Sequence, residues 1–124
     1  MNIVDCSGWL EYFAEGENAA YFTPAIEDLD NLLVPVICVY EVFKRVLLLY
    51  GLDTAEVRMA DLYKGKIAEL DSPLALSAAR ISAEMKLPMV DSIILATARA
   101  SHATIWTQDE HFKNIEGVHY IRRK

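Results

Sequence analysis

The sequence predicts an α/β fold, a mainly parallel β-sheet flanked by α-helices, and three observations carry that expectation. Short apolar runs alternate along the chain with segments of helical period. Leu33 to Ile37 is continuously apolar, as a strand covered on both faces requires. Glycine, proline and short polar residues punctuate the boundaries where helices should begin and end. With 124 residues the chain has room for one domain spanning 1–124, which buries roughly two-thirds of its unfolded surface.

Taken in order, Asn2-Ile3-Val4 reads as a buried strand ending at Asp5, and Ser7 as the N-cap of a helix opening at Gly8-Trp9-Leu10. Pro24 with the Ile26/Leu29 spacing predicts a second short helix to about Leu29. Leu33 to Ile37 is apolar and β-branched and reads as the second strand. From Cys38 the period changes, with Val39, Val42, Phe43, Val46, Leu47 and Tyr50 at helical spacing and Gly51 as terminator. A helix from Asp53 to about Lys64 would turn Val57, Ala60 and Leu62 or Tyr63 inward. Lys66 to Leu70 reads as a strand, and Ser72-Pro73 as an N-cap and first helical residue of a helix reaching Leu87. Beyond Pro88, Asp91 caps a helix from Ser92 to about Ser101. Ala103 to Trp106 is strand-like, His111 to Asn114 makes one turn, and Val118 to Ile121 is the last strand.

Composition narrows the function. The chain is 53% hydrophobic and 24% charged, which excludes disordered and low-complexity classes. Its longest charge-free apolar stretch, Leu32 to Tyr40, contains Pro35 and is too short for a membrane helix. Two cysteines, Cys6 and Cys38, are too few for a disulfide framework and fit a reducing, cytoplasmic setting. The net charge of −6 is unevenly spread, since residues 1–43 contain no Lys or Arg. Overall acidity argues against non-specific attraction to a phosphate backbone, but not against a local basic rim beside an acidic site.

Four carboxylates stand out. Asp5 ends the first strand, Glu41 lies in the first turn after the second, Asp91 heads the helix before the fourth, and Asp109 follows Ile105-Trp106-Thr107. In a parallel sheet these positions fall near the carboxyl ends of strands, where ligands bind. Clustered carboxylates repel one another unless a cation neutralises them, and hard divalent ions such as Mg²⁺ take oxygen ligands of this kind. Alone, each has a plain structural reading: Asp91 and Ser7 as caps, Asp109 as a turn former, Glu41 as an i+4 partner of Arg45.

The segments Ile3-Val4-Asp5-Cys6-Ser7, Tyr40-Glu41-Val42, Met89-Val90-Asp91-Ser92-Ile93-Ile94-Leu95-Ala96-Thr97-Ala98 and Trp106-Thr107-Gln108-Asp109-Glu110-His111-Phe112 resemble, in order and spacing, those of PIN domains. Within that superfamily the chain is most similar to VapC-type toxins of toxin–antitoxin pairs. The resemblance spans essentially the whole chain. It implies a PIN-like parallel sheet, a Mg²⁺ or Mn²⁺ site, endoribonuclease activity on RNA leaving 5′-phosphate and 3′-hydroxyl ends, and a cognate antitoxin. It assigns the metal-site and catalytic carboxylates to Asp5, Glu41, Asp91 and Asp109, with Ser7 and Thr107 as supporting hydroxyls. Strand two departs from the pattern, reading Val36-Ile37-Cys38-Val39 where Ser or Thr is usual.

Among the remaining residues, Lys44 and Arg45 share the helical face of Glu41 and are candidates for RNA phosphate contacts. His102, His111 and His119 lack zinc-ligand spacing with each other or with the cysteines. His111, two residues after Asp109, reads as an exposed turn residue rather than a substrate contact, Cys6 and Cys38 as core fillers, and Arg122-Arg123-Lys124 as a frayed terminus rather than a binding arm. No phosphate-binding glycine motif occurs. Leu48, Leu49 and Tyr50 widen the apolar stripe beyond one helical face, which suits a homodimer or partner interface. The competing expectation is a non-catalytic PIN-fold module that only binds a protein; retention of all four acids argues against it.

Overall fold

In the computed structural model, which describes residues 1–124, each apolar run becomes a strand of three or four residues. The strands are β1 (Asn2–Val4), β2 (Leu33–Pro35), β3 (Lys66–Ala68), β4 (Thr104–Thr107) and β5 (Val118–Tyr120). All pairings are parallel: β1 with β4, β4 with β5, and β2 with β3. A single parallel bridge between Asn2 and Leu32 links the two groups, giving the order β3-β2-β1-β4-β5. The chain thus winds outward from β1 to β3, then returns to build β4 and β5 on the other side. The reversal lies between β1 and β4, and a parallel sheet binds its ligand at the carboxyl end of such a switch point.

Six helices connect the strands: α1 (Cys6–Phe13), α2 (Ala19–Glu27), α3 (Val36–Tyr50), α4 (Leu52–Leu62), α5 (Ser72–Met85) and α6 (Met89–Ser101). α3 lies against α4, and α5 against α6. Ile3, Val4 and Ile105 of the sheet join Trp9, Phe22, Val42, Leu62, Ile94, Leu95 and Phe112 in one buried core. From Asp91 to Ala98 every residue of α6 is buried, so this helix is apolar nearly all round. Its polar side chains are satisfied internally, Ser92 Oγ donating to Met89 O and Thr97 Oγ1 to Ile93 O, both at 2.7 Å. None of the helices is long and apolar enough to cross a membrane.

Several boundaries differ from the sequence expectation, each for a local reason. Asp5, not Ser7, caps α1: its backbone is extended and its Oδ1 accepts from Gly8 N at 3.0 Å. α2 starts at Ala19 and runs through Pro24, because burying Phe22, Ala25 and Ile26 outweighs the lost backbone hydrogen bond. β2 stops at Pro35, which has no N–H to give a ladder, and the β-branched Val36-Ile37 pair opens α3 instead. That shift moves Glu41 from the first turn of α3 to its second. On α4 the buried positions are Ala55, Met59 and Leu62, while Val57, Ala60 and Tyr63 are exposed. Asp71 caps α5 by accepting from Leu74 N at 3.0 Å, and Lys86 in a left-handed conformation ends it before Leu87. α6 begins at Met89 behind Pro88, so Asp91 sits inside its first turn rather than capping it.

Candidate metal centre

Asp5 and Thr107 are neighbours because β1 and β4 are in parallel register, with Val4 opposite Trp106 and Asp5 N donating to Trp106 O at 3.2 Å. Thr107 Oγ1 donates to Asp5 Oδ2 at 2.6 Å and accepts from Asp109 N at 2.9 Å. Ser7 Oγ donates to Asp5 Oδ1 at 2.7 Å and accepts from Gln108 N at 3.2 Å. The two hydroxyls therefore tie the end of β1 to the segment after β4 and fix the Asp5 carboxyl between them. Beneath, Asn18 Nδ2 donates to Gln108 Oε1 at 2.9 Å and to Arg122 O at 3.1 Å, anchoring the same segment to the loop before α2.

Asp5, Glu41, Asp91 and Asp109 all line one cavity of about 330 Å³, with Ser7, Met89 and His111 among its other walls. Four separate elements deliver them: the end of β1, the second turn of α3, the first turn of α6 and the cap of the 3₁₀ turn Glu110–Phe112. Burial pushes the Asp5 carboxyl up from 3.8 to about 6, despite hydrogen bonds from Ser7, Thr107 and Gly8 that oppose the rise. The Asp91 carboxyl is also raised, by burial first and then by the negative charge of Asp109. Asp5 and Asp91 are thus withdrawn from water, whereas Glu41 and Asp109 are half-buried at the mouth of the same cavity.

His111 is an exposed turn residue, as its sequence reading has it, and its side chain also lines this cavity. Its Nδ1 lies 2.7 Å from Asp91 Oδ2 and 3.2 Å from Asp109 Oδ1, while its own N–H donates to Asp109 Oδ1 at 2.9 Å. The hydrogen bond to Asp91 and the charge of Asp109 raise the imidazole pKa. One oxygen each of Asp91 and Asp109 and one His111 nitrogen lie within 4.8 Å of one another, close enough to share an ion. This donor set and the raised carboxyls fit a divalent cation. The signal in the sequence was the Asp109-x-His111 spacing just beyond a strand, where a tight turn brings side chains two apart to one side.

A larger cleft of about 660 Å³ adjoins the cavity through Cys6, Ser7, Glu41 and Asp109. Its walls carry Arg45, Arg58 and Arg123, none of which pairs with a carboxylate within 4.0 Å. Glu41 and Arg45 therefore face the same space without forming the i+4 ion pair. The Arg58 guanidinium lies over the Phe13 ring, 5.1 Å from its centroid. Arg123, exposed beyond β5, also lines the cleft. Lys44 faces elsewhere, into an apolar groove of about 480 Å³ between α3 and α4 with Val39, Tyr40, Phe43, Leu47, Met59 and Tyr63.

Among curated proteins no sequence relative matches. Solved structures do. A chain of a toxin–antitoxin complex from Klebsiella pneumoniae is similar, with a TM-score of 0.80 and 23% identity over 96% of both chains. VapC20 of Mycobacterium tuberculosis, a toxin that cleaves the sarcin–ricin loop, has a TM-score of 0.78 and 14% identity; the match covers 94% of this chain and 95% of that one. FitAcB of Neisseria gonorrhoeae has a TM-score of 0.75 and 20% identity over 98% and 97% of the two chains. These likenesses establish a shared fold. The PIN domain family profile matches residues 3–118, which takes in all four carboxylates, and the chain belongs to the PIN-domain family.

Proposed function

We propose that the protein is a divalent-metal-dependent endoribonuclease and the toxin half of a toxin–antitoxin pair. The observation that carries this reading is the convergence of Asp5, Glu41, Asp91 and Asp109, from four distant parts of the chain, on one cavity at the switch point of the sheet. Asp5, Asp91 and Asp109 would hold Mg²⁺ or Mn²⁺, with Glu41 bound directly or through water. When bound, such an ion supplies a water made acidic enough to attack at neutral pH and neutralises charge developing on the phosphodiester. Ser7 and Thr107 orient the Asp5 carboxylate through their hydroxyl groups, and the Asn18–Gln108 pair holds the segment that carries Asp109. Arg45, Arg58 and Arg123 line the adjoining cleft beside Glu11, Glu41 and Asp109, so a backbone phosphate entering it would find guanidinium groups to pair with in a chain that is acidic overall.

The antitoxin reading draws support from the other side of α3. Tyr40, Leu47 and Tyr63 are exposed around the α3–α4 groove, an apolar surface suited to an amphipathic or extended segment. Structures of similar fold include complexes of a toxin with its antitoxin. The test is to incubate the purified protein with a panel of tRNA and rRNA in Mg²⁺, Mn²⁺ or EDTA. Discrete cleavage in metal that EDTA abolishes is the expected result. Intact RNA in every metal, with an antitoxin segment still bound, would favour the non-catalytic binding module instead.

A further inference from the structure

The donor atoms of the cavity are not all alike. Carboxylate oxygens suit Mg²⁺, Ca²⁺ and Mn²⁺ alike, whereas imidazole nitrogen is a better ligand for transition ions, Mn²⁺ among them, than for Mg²⁺ or Ca²⁺. His111 Nδ1 lies between the two carboxylates, at 2.7 Å from Asp91 Oδ2 and 3.2 Å from Asp109 Oδ1. With bonds of about 2.0–2.1 Å, adjacent ligands of an octahedral ion stand about 3 Å apart, so an ion replacing the proton of the His111–Asp91 hydrogen bond would need only a small movement of these donors. The ring is held there by its own backbone, since His111 N–H donates to Asp109 Oδ1 and the 3₁₀ turn closes on the Asp109 cap. Its side chain is 56% exposed, so the opposite ring nitrogen can reach water as Nδ1 faces the cavity.

We propose that His111 is a ligand of the metal centre and gives it a nitrogen donor that favours Mn²⁺, or another transition ion, over Mg²⁺. The inference rests on the metal-dependent reading above and adds to it the choice of ion. It separates two cofactors that the carboxylates alone leave equivalent. His111→Asn is the informative variant, because asparagine keeps a polar amide near the place of Nδ1 but replaces the basic ring nitrogen as donor. The position is exposed and lies in a short turn, so the fold tolerates the change.

Mn²⁺ alone serves as the probe. Electron spin echo spectra of the Mn²⁺-loaded protein should carry modulation from a bound imidazole nitrogen, absent in His111→Asn. In parallel, calorimetric titration with Mn²⁺ and Mg²⁺ should show the wild-type preference for Mn²⁺ fall about tenfold or more in the variant. Mn²⁺ bound without imidazole modulation, with an affinity ratio unchanged in His111→Asn, overturns the inference and leaves the metal-dependent reading standing. Failure of wild type to bind either ion overturns both.

Discussion

Asp5 is the most constrained residue of the site, and its constraint has a measurable sign. Three donors satisfy its carboxyl, yet burial dominates and its pKa rises from 3.8 to about 6. The folded, metal-free protein therefore holds a proton there that the unfolded chain has already lost. The associated stability is fully present below about pH 4 and disappears as pH rises through about 6. Above that, the buried carboxylate costs the apo protein about 2–3 kcal/mol, at 1.36 kcal/mol per pKa unit. Asp5→Asn carries no such penalty, so in EDTA its stability relative to wild type should rise by about that amount between about pH 4 and about pH 8. Urea unfolding at the two pH values measures it; curves with the same offset at both would refute the assignment. Asp5 was legible in the sequence because an acid closing an apolar run has no ordinary place in a core. For His111 the sequence offered only its spacing from Asp109, because what its ring touches depends on how tightly the chain turns there.

At the scale of elements, the site depends on how closely α1 can approach the sheet. Gly8 supplies the N–H that Asp5 Oδ1 accepts, and it also makes room. A Cβ at this position would stand 2.5 Å from Val4 Cγ1 and 2.8 Å from the Phe22 ring. Gly8→Ala should therefore push α1 off β1 and α2, costing about 1–3 kcal/mol by overpacking. Chemical denaturation gives the cost, and an unchanged midpoint would mean that α1 is less tightly seated than its packing indicates. Element types were readable from period and apolarity, but boundaries moved wherever a single polar atom or ring decided them. Asp5 and Asp71 displaced neighbouring serines as caps because their carboxyl groups reach the N–H three residues on. Pro35 ended β2 for want of a donor, and the inward face of α4 shifted phase because Met59, not Val57, meets the core. None of these choices is encoded in hydrophobic spacing alone.

Over the whole molecule, acids and bases meet along one surface. The net charge is −6; four acids line the cavity, and two of them, Glu41 and Asp109, also line the adjoining cleft together with Glu11, Arg45, Arg58 and Arg123. Arg45, Arg58 and Arg123 come from α3, α4 and the end of the chain, so only the tertiary fold assembles them. Arg45 was legible through its spacing from Glu41, whereas Arg58 and Arg123 carry no local signal that ties them to the acids. If an RNA strand follows this cleft, Arg58→Gln should weaken binding of a labelled single strand in Ca²⁺. Its plot of log affinity against log salt should be shallower by about 0.7, the value for one phosphate no longer neutralised by the protein. Anisotropy titrations across salt measure this slope, and an unchanged slope would exclude Arg58 from the path.

Catalysis, on this reading, needs four carboxylates acting together on one ion and one phosphodiester. Asp91→Asn tests this most directly, since it removes one charge from the buried first turn of α6 and leaves the apolar packing of that helix alone. The measurement is the rate of cleavage of an RNA that the wild type cuts, at saturating Mn²⁺, with circular dichroism confirming that both proteins are folded. The predicted result is a fall of at least about a thousandfold, the scale on which removal of a directly participating group acts. Cleavage by folded Asp91→Asn within a few-fold of wild type would contradict the shared role of the four carboxylates.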